Sequence, residues 1–334
     1  MPLRGLAGRV FLSSAGIVCA VLLAAFVVAS RSGRSAARAE ERRVLEQAAD
    51  LTAQLLSGRS RSLAGGARVF VQGPYFRALV AERRRDDILD QSFEAAEQLG
   101  ADWVFITDER GVLIAKSDEP AVNGIAMGDV PLVAGALEGR VTTGFGASGD
   151  SVLFQAVAVP IVVPGGAPVG VLVATRIIDR QAARDVHAAT GSDVVFYTLD
   201  AAGRAHPAAS ALGAGLIASD LLAAAPGLRR GPGEVAHRAE VKGVPYAFQG
   251  ASLTTAGGDA VGGFLVIRPE EPTPVGFAGV RRSLLVAGAL GFLLALVVAW
   301  SAARRITRPA RALAAAATRA LDGEYARAAR EALA

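Results

Sequence analysis

The sequence predicts an α+β protein in which a long N-terminal helix carries two tandem antiparallel-sheet modules, flanked by two transmembrane helices. Three observations predict this arrangement: a phrase that occurs twice, a long apolar run near each end, and helical spacing ahead of the first phrase. The 334 residues are enough for one to three domains. A hydrophobic fraction of 52% and a mean hydropathy of +0.38 indicate membrane segments.

The repeated phrase reads VFITDERG at 104–111 and VFYTLDAAG at 195–203. In both copies an apolar run precedes an acidic residue, and Gly follows three positions after the acid, which is typical of a strand entering a tight turn. Three further matches occur downstream in the same order: Phe154-Gln155 with Phe248-Gln249, Gly165-Gly166 with Gly257-Gly258, and Val169-Gly170 with Val261-Gly262. The ordered matches predict two copies of one module.

Each apolar run, at 10–29 and at 283–302, has twenty residues without a charge, which suffices to cross a bilayer as a helix. The first run is longer than the apolar part of a cleaved signal peptide, which favours an uncleaved anchor. The arginines that follow the second run predict a cytoplasmic C-terminus, a cytoplasmic N-terminus at 1–9, and an extracytoplasmic region between the spans.

The charge of +4 comes mostly from arginines that flank the apolar runs, which favours phospholipid headgroups over nucleic acid as a partner. The only cysteine, Cys19, lies inside the first run, so no intramolecular disulfide is possible. A stripe of small residues on the second span favours a homodimer: Ala287, Gly291, Ala295 and Ala299.

Residues 30–100 are predicted to form a helical stalk and the first helices of the central region. Val44, Ala48, Leu51 and Leu55 recur at helical spacing, which is compatible with a coiled coil and equally with packing against the chain's own domain. Gly73-Pro74 interrupts this helix, and helical spacing resumes from Tyr75 to Leu99 until Gly100 ends it.

Residues 101–180 and 181–270 are predicted to form the two modules. In the first module we expect strands at 102–108, 111–117, 140–145, 151–163 and 168–178, with a short helix near 129–138. A connecting helix at 180–189 leads to the second module, which repeats the order with a helix near 214–224. This order of strands and helix is that of a PAS-like sheet.

Two glycine-rich motifs invite a nucleotide-binding interpretation, but both are predicted to be hairpin turns. GFGASG at 144–149 precedes a β-patterned run, whereas a dinucleotide loop must open a helix. GGDA at 257–260 corresponds to the PGGAP turn of the first module. His187, His206 and His237 lack metal-ligand spacing. The sequence therefore predicts no catalytic residues, no metal site and no cofactor.

The segment RRITRPARALAAAATRALDGEY at 304–325 directly follows the second apolar run. It has a heptad stripe made of Ile306, Ala310, Leu313, Ala317 and Ala320. It resembles the first helix of a HAMP signalling domain, which opens Arg-x-Ile-Thr-Arg-Pro and closes with a turn like Asp322-Gly323-Glu324-Tyr325. The expectation is an incomplete HAMP-like domain at 303–325, without the second HAMP helix and without an output domain.

Beside such a helix, the tandem modules over about 35–270 resemble the double Cache sensory domains of bacterial receptors, particularly two-component sensors. The resemblance implies a two-pass homodimeric receptor in the inner membrane, with a periplasmic or extracellular sensor for signal transduction or chemotaxis. Its partner is a small molecule, or a periplasmic binding protein that carries one.

The resemblance also implies that the membrane-distal module holds the ligand, between its sheet and the helix near 129–138. The candidate lining residues are Trp103, Phe105, Lys116, Asp118, Phe145 and Gln155. Together, Lys116 and Asp118 could hold the carboxylate and the amine of a zwitterion. Two alternatives stay open: a membrane-tethered remnant or scaffold without output, and the sensor part of a longer kinase, cyclase or chemotaxis receptor.

Overall fold

The computed structural model describes residues 40, 42–213, 216–225 and 235–269, together with 286, 288–294, 297 and 301. Within this part of the chain, no helix is long and apolar enough to cross a membrane. The predicted first span at 10–29 and the HAMP-like helix at 303–325 lie outside the described residues. The described residues of the predicted second span at 283–302 are helical.

Three helices precede the first sheet: α1 at 42–70, α2 at Pro74–Glu82 and α3 at Arg85–Leu99. The break at Gly73-Pro74 is confirmed, and Gly100 ends α3 in a left-handed conformation, as predicted. The prediction of continuous helical spacing from Tyr75 to Leu99 was wrong, because Arg83 adopts a left-handed conformation (φ 56°) and separates α2 from α3.

Of the two packing modes left open for α1, the structure shows contact with the chain's own domain. The N-terminal half of α1 buries Leu45, Ala48 and Leu56 in the core of the second module. The C-terminal half buries Leu63 and Ala67 in the core of the first module. One helix therefore supports both modules.

The first module is a five-stranded antiparallel sheet with the order β2-β1-β5-β4-β3. Its strands are β1 Trp103–Asp108, β2 Leu113–Lys116, β3 Thr142–Ser148, β4 Val152–Val162 and β5 Pro168–Ile177. The short helix α4, at Pro131–Leu137, lies between β2 and β3 in the chain. All five predicted strands and the helix near 129–138 are confirmed, with ends shifted by a few residues.

The second module repeats this sheet in the order β7-β6-β10-β9-β8. Its elements are α5 Arg180–Thr190, β6 Asp193–Leu199, β7 Ala205–Ala211, α6 Ala218–Ala224, β8 Val235–Val241, β9 Val244–Thr254 and β10 Ala260–Pro269. Position by position, the strand order matches that of the first module, so the predicted duplication is confirmed.

The repeated phrase forms the same turn in both modules. Asp108 Oδ1 accepts the backbone N–H groups of Arg110 and Val112, both at 2.9 Å. Asp200 Oδ1 accepts those of the residues two and four positions further along, at 2.9 and 2.8 Å. In each turn the following glycine, Gly111 or Gly203, has a positive φ of 77° or 71°. The turn needs glycine because other residues rarely adopt this conformation.

A second repeated glycine lets neighbouring strands approach closely. A Cβ on Gly170 would lie 2.2 Å from the carbonyl oxygen of Thr107, and a Cβ on Gly262 would lie 2.1 Å from that of Tyr197. Both glycines pair with the strand that enters the Asp-x-x-Gly turn. The Val-Gly match therefore marks a position where a side chain would collide with the backbone of the central strand pair.

Neither glycine-rich motif opens a helix, as predicted, but only GGDA forms the predicted hairpin turn, whereas GFGASG lies mostly in a strand. Residues 144–148 belong to β3, and the hairpin to β4 follows at 149–151. The GGDA motif lies in the turn between β9 and β10, where Thr255 and Asp259 close the hairpin through a backbone hydrogen bond of 2.8 Å.

We expect Asp200 to make the stability of the second module depend on pH. The backbone N–H of Arg204 is the largest cause that holds the pKa of the Asp200 carboxyl well below its ordinary value, followed by the hydrogen bond from His206. A depressed folded-state pKa stabilises the fold above the unfolded pKa of about 4, and this contribution is lost as the pH falls below it. Between pH 6 and pH 3, the melting temperature of Asp200→Asn should fall less than that of the wild type.

The Asn variant keeps one oxygen for the backbone N–H groups of the turn, and it removes the charge together with the second oxygen that accepts from Arg204 and His206. Asp259→Asn is the matched control, because the exposed Asp259 carboxylate forms no ion pair with any described residue. If the melting temperatures of the wild type and of Asp200→Asn fell equally between pH 6 and pH 3, this result would contradict the role assigned to Asp200.

Candidate functional site

The first sheet is covered on both faces, and side chains alternate between them along each strand. One face packs on α1, α2 and α3 through residues such as Val104, Ile106 and Val157. The other face packs on α4, whose Val133 and Ala136 are fully buried against it. We call this second side the α4 face. The predicted ligand region is therefore a distinct layer with its own small core.

Four of the six predicted site residues come together at the α4 face. Trp103 and Phe105 are two positions apart on β1, so they point to the same side. Phe105 pairs with Lys116 on the neighbouring strand. The Lys116 ammonium lies 6.0 Å from the centroid of the Trp103 ring. Asp118 follows just after β2 and reaches the same ammonium group at 3.1 Å.

The charged part of this cluster carries more negative than positive charge. Lys116 Nζ forms ion pairs with Asp118 and with Glu119. Burial lowers the pKa of Lys116, but the hydrogen bonds and charges of Glu119 and Asp118 outweigh burial and raise the pKa above that of an ordinary lysine. The ammonium group stays charged at neutral pH, and two carboxylates share it.

The structure does not bring Phe145 and Gln155 to this cluster. Gln155 directly follows Phe154, and the alternation of β4 sends the two side chains to opposite faces. The amide of Gln155 donates to the Leu56 carbonyl at 2.8 Å and to Ser60 Oγ at 3.0 Å, both on α1. Phe145, on β3, pairs with Gln155 and points to the same side. Both residues therefore face α1.

We expect Gln155→Ala to act on stability. The side chain is 1% exposed and donates two hydrogen bonds to α1, so its removal leaves the Leu56 carbonyl without that donor. Such losses cost about 1–3 kcal/mol. Urea denaturation of the full chain measures this loss, while ligand binding at the α4 face should stay unchanged. A variant that folds normally and loses ligand binding would contradict this assignment.

Two residues of the cluster were not among the site residues predicted from the sequence. The Phe154 ring packs edge-on against Trp103, with ring centroids 5.1 Å apart and an interplanar angle of 70°. Glu119 is the second partner of Lys116. The spacing of Phe154, Ala156 and Ala158 could have identified the α4 face of β4, because these residues alternate with Gln155 and Val157. For Glu119, the i, i+3 spacing from Lys116 was the available signal.

Helix α4, which covers the α4 face, and the edge strand β3 also contact the second module. A Cβ on Gly257, in the turn between β9 and β10, would lie 3.0 Å from Pro131 Cγ at the start of α4. A Cβ on Gly144 of β3 would lie 2.5 Å from the backbone nitrogen of Ala256 in the same turn. The turn at 255–258 therefore contacts both the helix and the edge strand of the first module.

Among the described residues, no group of three or more histidine, cysteine or acidic side chains could hold a metal ion. The cluster around Lys116 at the α4 face consists of two carboxylates, one ammonium group and three aromatic rings. Such a set suits reversible recognition of a polar molecule with an apolar part, through ion pairs and ring contacts.

Comparison with known proteins identifies a sensory domain. The family model dCache_3, the double sensory domain of two-component sensor kinases, matches residues 38–271. No curated protein matches the chain. The match covers the whole of both modules and all of α1.

Solved sensor domains are similar to this chain at low sequence identity. The sensor domain of the Vibrio cholerae histidine kinase DctB is 13% identical, with a TM-score of 0.45, over 68% of this chain and 96% of that chain. The ligand-binding domain of the Campylobacter jejuni chemoreceptor Tlp3, in complex with 4-methylisoleucine, is 11% identical, with a TM-score of 0.44, over 70% and 91%. The periplasmic domain of Vibrio cholerae LuxQ is 13% identical, with a TM-score of 0.43, over 68% and 100%.

Proposed function

The chain belongs to the dCache_3 family, the double sensory domains of two-component sensor kinases, and from this we propose that it is a membrane receptor whose first module binds a small molecule outside the cytoplasm. The family is a sensory domain rather than an enzyme, so the α4 face recognises its ligand without transforming it.

The observation that carries the proposal is the cluster of Trp103, Phe105, Lys116, Asp118 and Phe154 on the α4 face of the sheet. Aromatic rings beside charged groups suit a molecule with an apolar part and ionised ends. A free amino acid has this chemistry. Its amine pairs with Asp118, and its carboxylate pairs with Lys116.

In the protein without ligand, Glu119 occupies the position at Lys116 that the ligand carboxylate takes in this proposal. It contacts Lys116 without a ligand, so a bound carboxylate competes with it for the ammonium group. Glu119 is more exposed than Lys116, at 55% against 21% of the side chain, and can turn into water when it is displaced. The exchange keeps Lys116 paired in both states, which limits the cost of opening the site.

Transmission is proposed to run through α4 and the turn at 255–258. A ligand that draws α4 toward the sheet moves Pro131, which contacts Gly257 in the second module. From this turn β10 leads to Pro269, ahead of the predicted second span at 283–302. A homodimer would pass the shift to the HAMP-like helix at 303–325. The ligand must bind the two arrangements with different affinities, because equal affinity shifts nothing.

Thermal unfolding of the full chain in lipid nanodiscs, with each of the free amino acids in turn, tests the proposal. Specific binding at a hundred times Kd stabilises a protein by about 2.7 kcal/mol and raises its melting temperature. At least one amino acid should give a saturable rise. If none does, a zwitterion is not the ligand of the α4 face, and a membrane-tethered scaffold without ligand binding becomes the better account.

A further inference from the structure

A cavity lies on the opposite side of the first sheet from the α4 face. It has a volume of about 620 Å³ and lies between α1, strand β3 of the first module and strand β9 of the second. We call it the junction cleft, and its principal lining residues are Leu56, Arg61, Arg68, Thr143, Phe145 and Leu253. The volume is within the range of small-molecule sites, about 300–1,000 Å³.

The junction cleft combines an apolar floor with two cations. Leu56 and Leu253 are buried, and Phe145 is half-buried between them and solvent. Arg61 and Arg68 are exposed and lie about two helical turns apart on α1. Neither forms an ion pair with any residue that the structure describes. Both arginines line the cleft, and Arg61 Nε donates to the Ser57 carbonyl at 3.4 Å. Both positive charges can therefore pair with an anion in the cleft.

Hydroxyl groups add hydrogen-bonding capacity next to the arginines. Ser57, Ser60 and Thr143 also line the cleft. The Ser60 hydroxyl accepts from Gln155, so its oxygen is fixed in position. Guanidinium groups are the preferred partners of carboxylates because they present paired N–H donors in a planar fork.

We propose that the junction cleft is a second binding site, which takes an organic carboxylate with an apolar body. The carboxylate pairs with Arg61 and Arg68, and the apolar body packs on Phe145, Leu56 and Leu253. Because the cleft is lined by both modules and by α1, an occupant holds the two modules together. The site is separate from the α4 face, and its ligand is an anion rather than a zwitterion.

Two glycines of α1 allow a matched test of occupancy. Gly65 lines the cleft, whereas Gly58 does not, and a Cβ at either position would meet no atom within 4 Å. Leucine favours a helix more than glycine does, so neither substitution strains α1. Gly65→Leu fills the cleft, and Gly58→Leu makes the same chemical change outside it.

The experiment is isothermal titration calorimetry of the full chain in nanodiscs of zwitterionic lipid, with empty nanodiscs as the blank. The probes are 2-naphthoate and octanoate, with uncharged 2-naphthamide for comparison. We expect saturable binding of at least one acid, and much weaker binding of the amide. The double variant Arg61→Ala/Arg68→Ala and the variant Gly65→Leu should each lower the affinity for the acid at least about tenfold.

Three controls keep the result specific to the cleft. Gly58→Leu and Arg180→Ala, an exposed arginine outside the cleft, should bind the acid like the wild type. Amino-acid binding at the α4 face should be unchanged in every cleft variant, so this proposal can fail while the proposed function stands.

The proposal is overturned if neither acid binds the wild type, or if cleft and control variants lose binding equally. It is also overturned if the cleft variants instead change a monomer–dimer equilibrium in light scattering while the wild type binds neither acid, because a second copy of the chain would then cover the cleft.

Discussion

Replacing Gly170 with alanine should destabilise the first module by at least about 3 kcal/mol, a cost at the upper end for overpacking. The added Cβ would lie 2.2 Å from the Thr107 carbonyl oxygen and 3.0 Å from Val80 Cγ1. Neither neighbour can yield easily, because Thr107 belongs to the paired strand β1 and Val80 is buried in α2. Urea denaturation of the full chain, followed by circular dichroism, measures the loss.

Gly58→Ala is the control for the loss of a glycine as such. Gly58 lies in α1 with open space around its Cβ position, so alanine should stabilise the chain there by about 0.5–1 kcal/mol. Gly262→Ala should repeat the Gly170 result in the second module, because its Cβ would meet the Tyr197 carbonyl oxygen at 2.1 Å. A stable Gly170→Ala variant would contradict the close strand approach seen in the structure.

The second large effect concerns the ammonium group at the α4 face. Lys116→Ala should weaken binding of the amino acid identified by thermal unfolding about 10- to 100-fold, because a hydrogen bond to a charged group contributes about 1.5–3 kcal/mol. The unfolding free energy without ligand should change little, by about 0.5 kcal/mol, since the Lys116 pairs lie near the surface. Calorimetry and urea denaturation of the same variant separate the two quantities.

Glu119→Gln should have the opposite effect on binding. The amide keeps the shape of the side chain and removes the charge that competes with the ligand carboxylate for Lys116, so affinity should rise several-fold. Asp220→Asn is the control, because it also removes a carboxylate charge from a lysine pair, the 3.1 Å pair of Asp220 with Lys242 in the second module. Weaker binding in Glu119→Gln, or a large loss of unfolding free energy in Lys116→Ala, would assign these residues a structural role instead.

The order of strands along the chain was predictable in both modules because its signals are local. The Asp-x-x-Gly turns and the Val-Gly pairs occur twice, and each copy has a backbone reason to exist. The boundary between α2 and α3 was not predictable in this way. Arg83 ends α2 in a left-handed conformation, although arginine is not a usual residue for it.

The side of the sheet to which each strand residue points was harder to predict. Residues 155–159 of β4 are all buried, since helices cover both faces of the sheet. A strand covered on both sides loses the polar–apolar alternation that would reveal its orientation. Phe145 and Gln155 could therefore be assigned to the correct sheet but not to the correct face. The junction cleft depends on three elements distant in sequence, so no local pattern could have predicted it.

Hydrogen–deuterium exchange of the full chain, with and without the amino acid that gives the largest rise in melting temperature, tests ligand binding at the α4 face most directly. We expect slower exchange in β1, in β2 and in the segment from Ser117 through α4. We also expect unchanged exchange in β6, β7 and α6 of the second module. If no amino acid binds, or if protection is confined to the second module, the α4 face is not the ligand site.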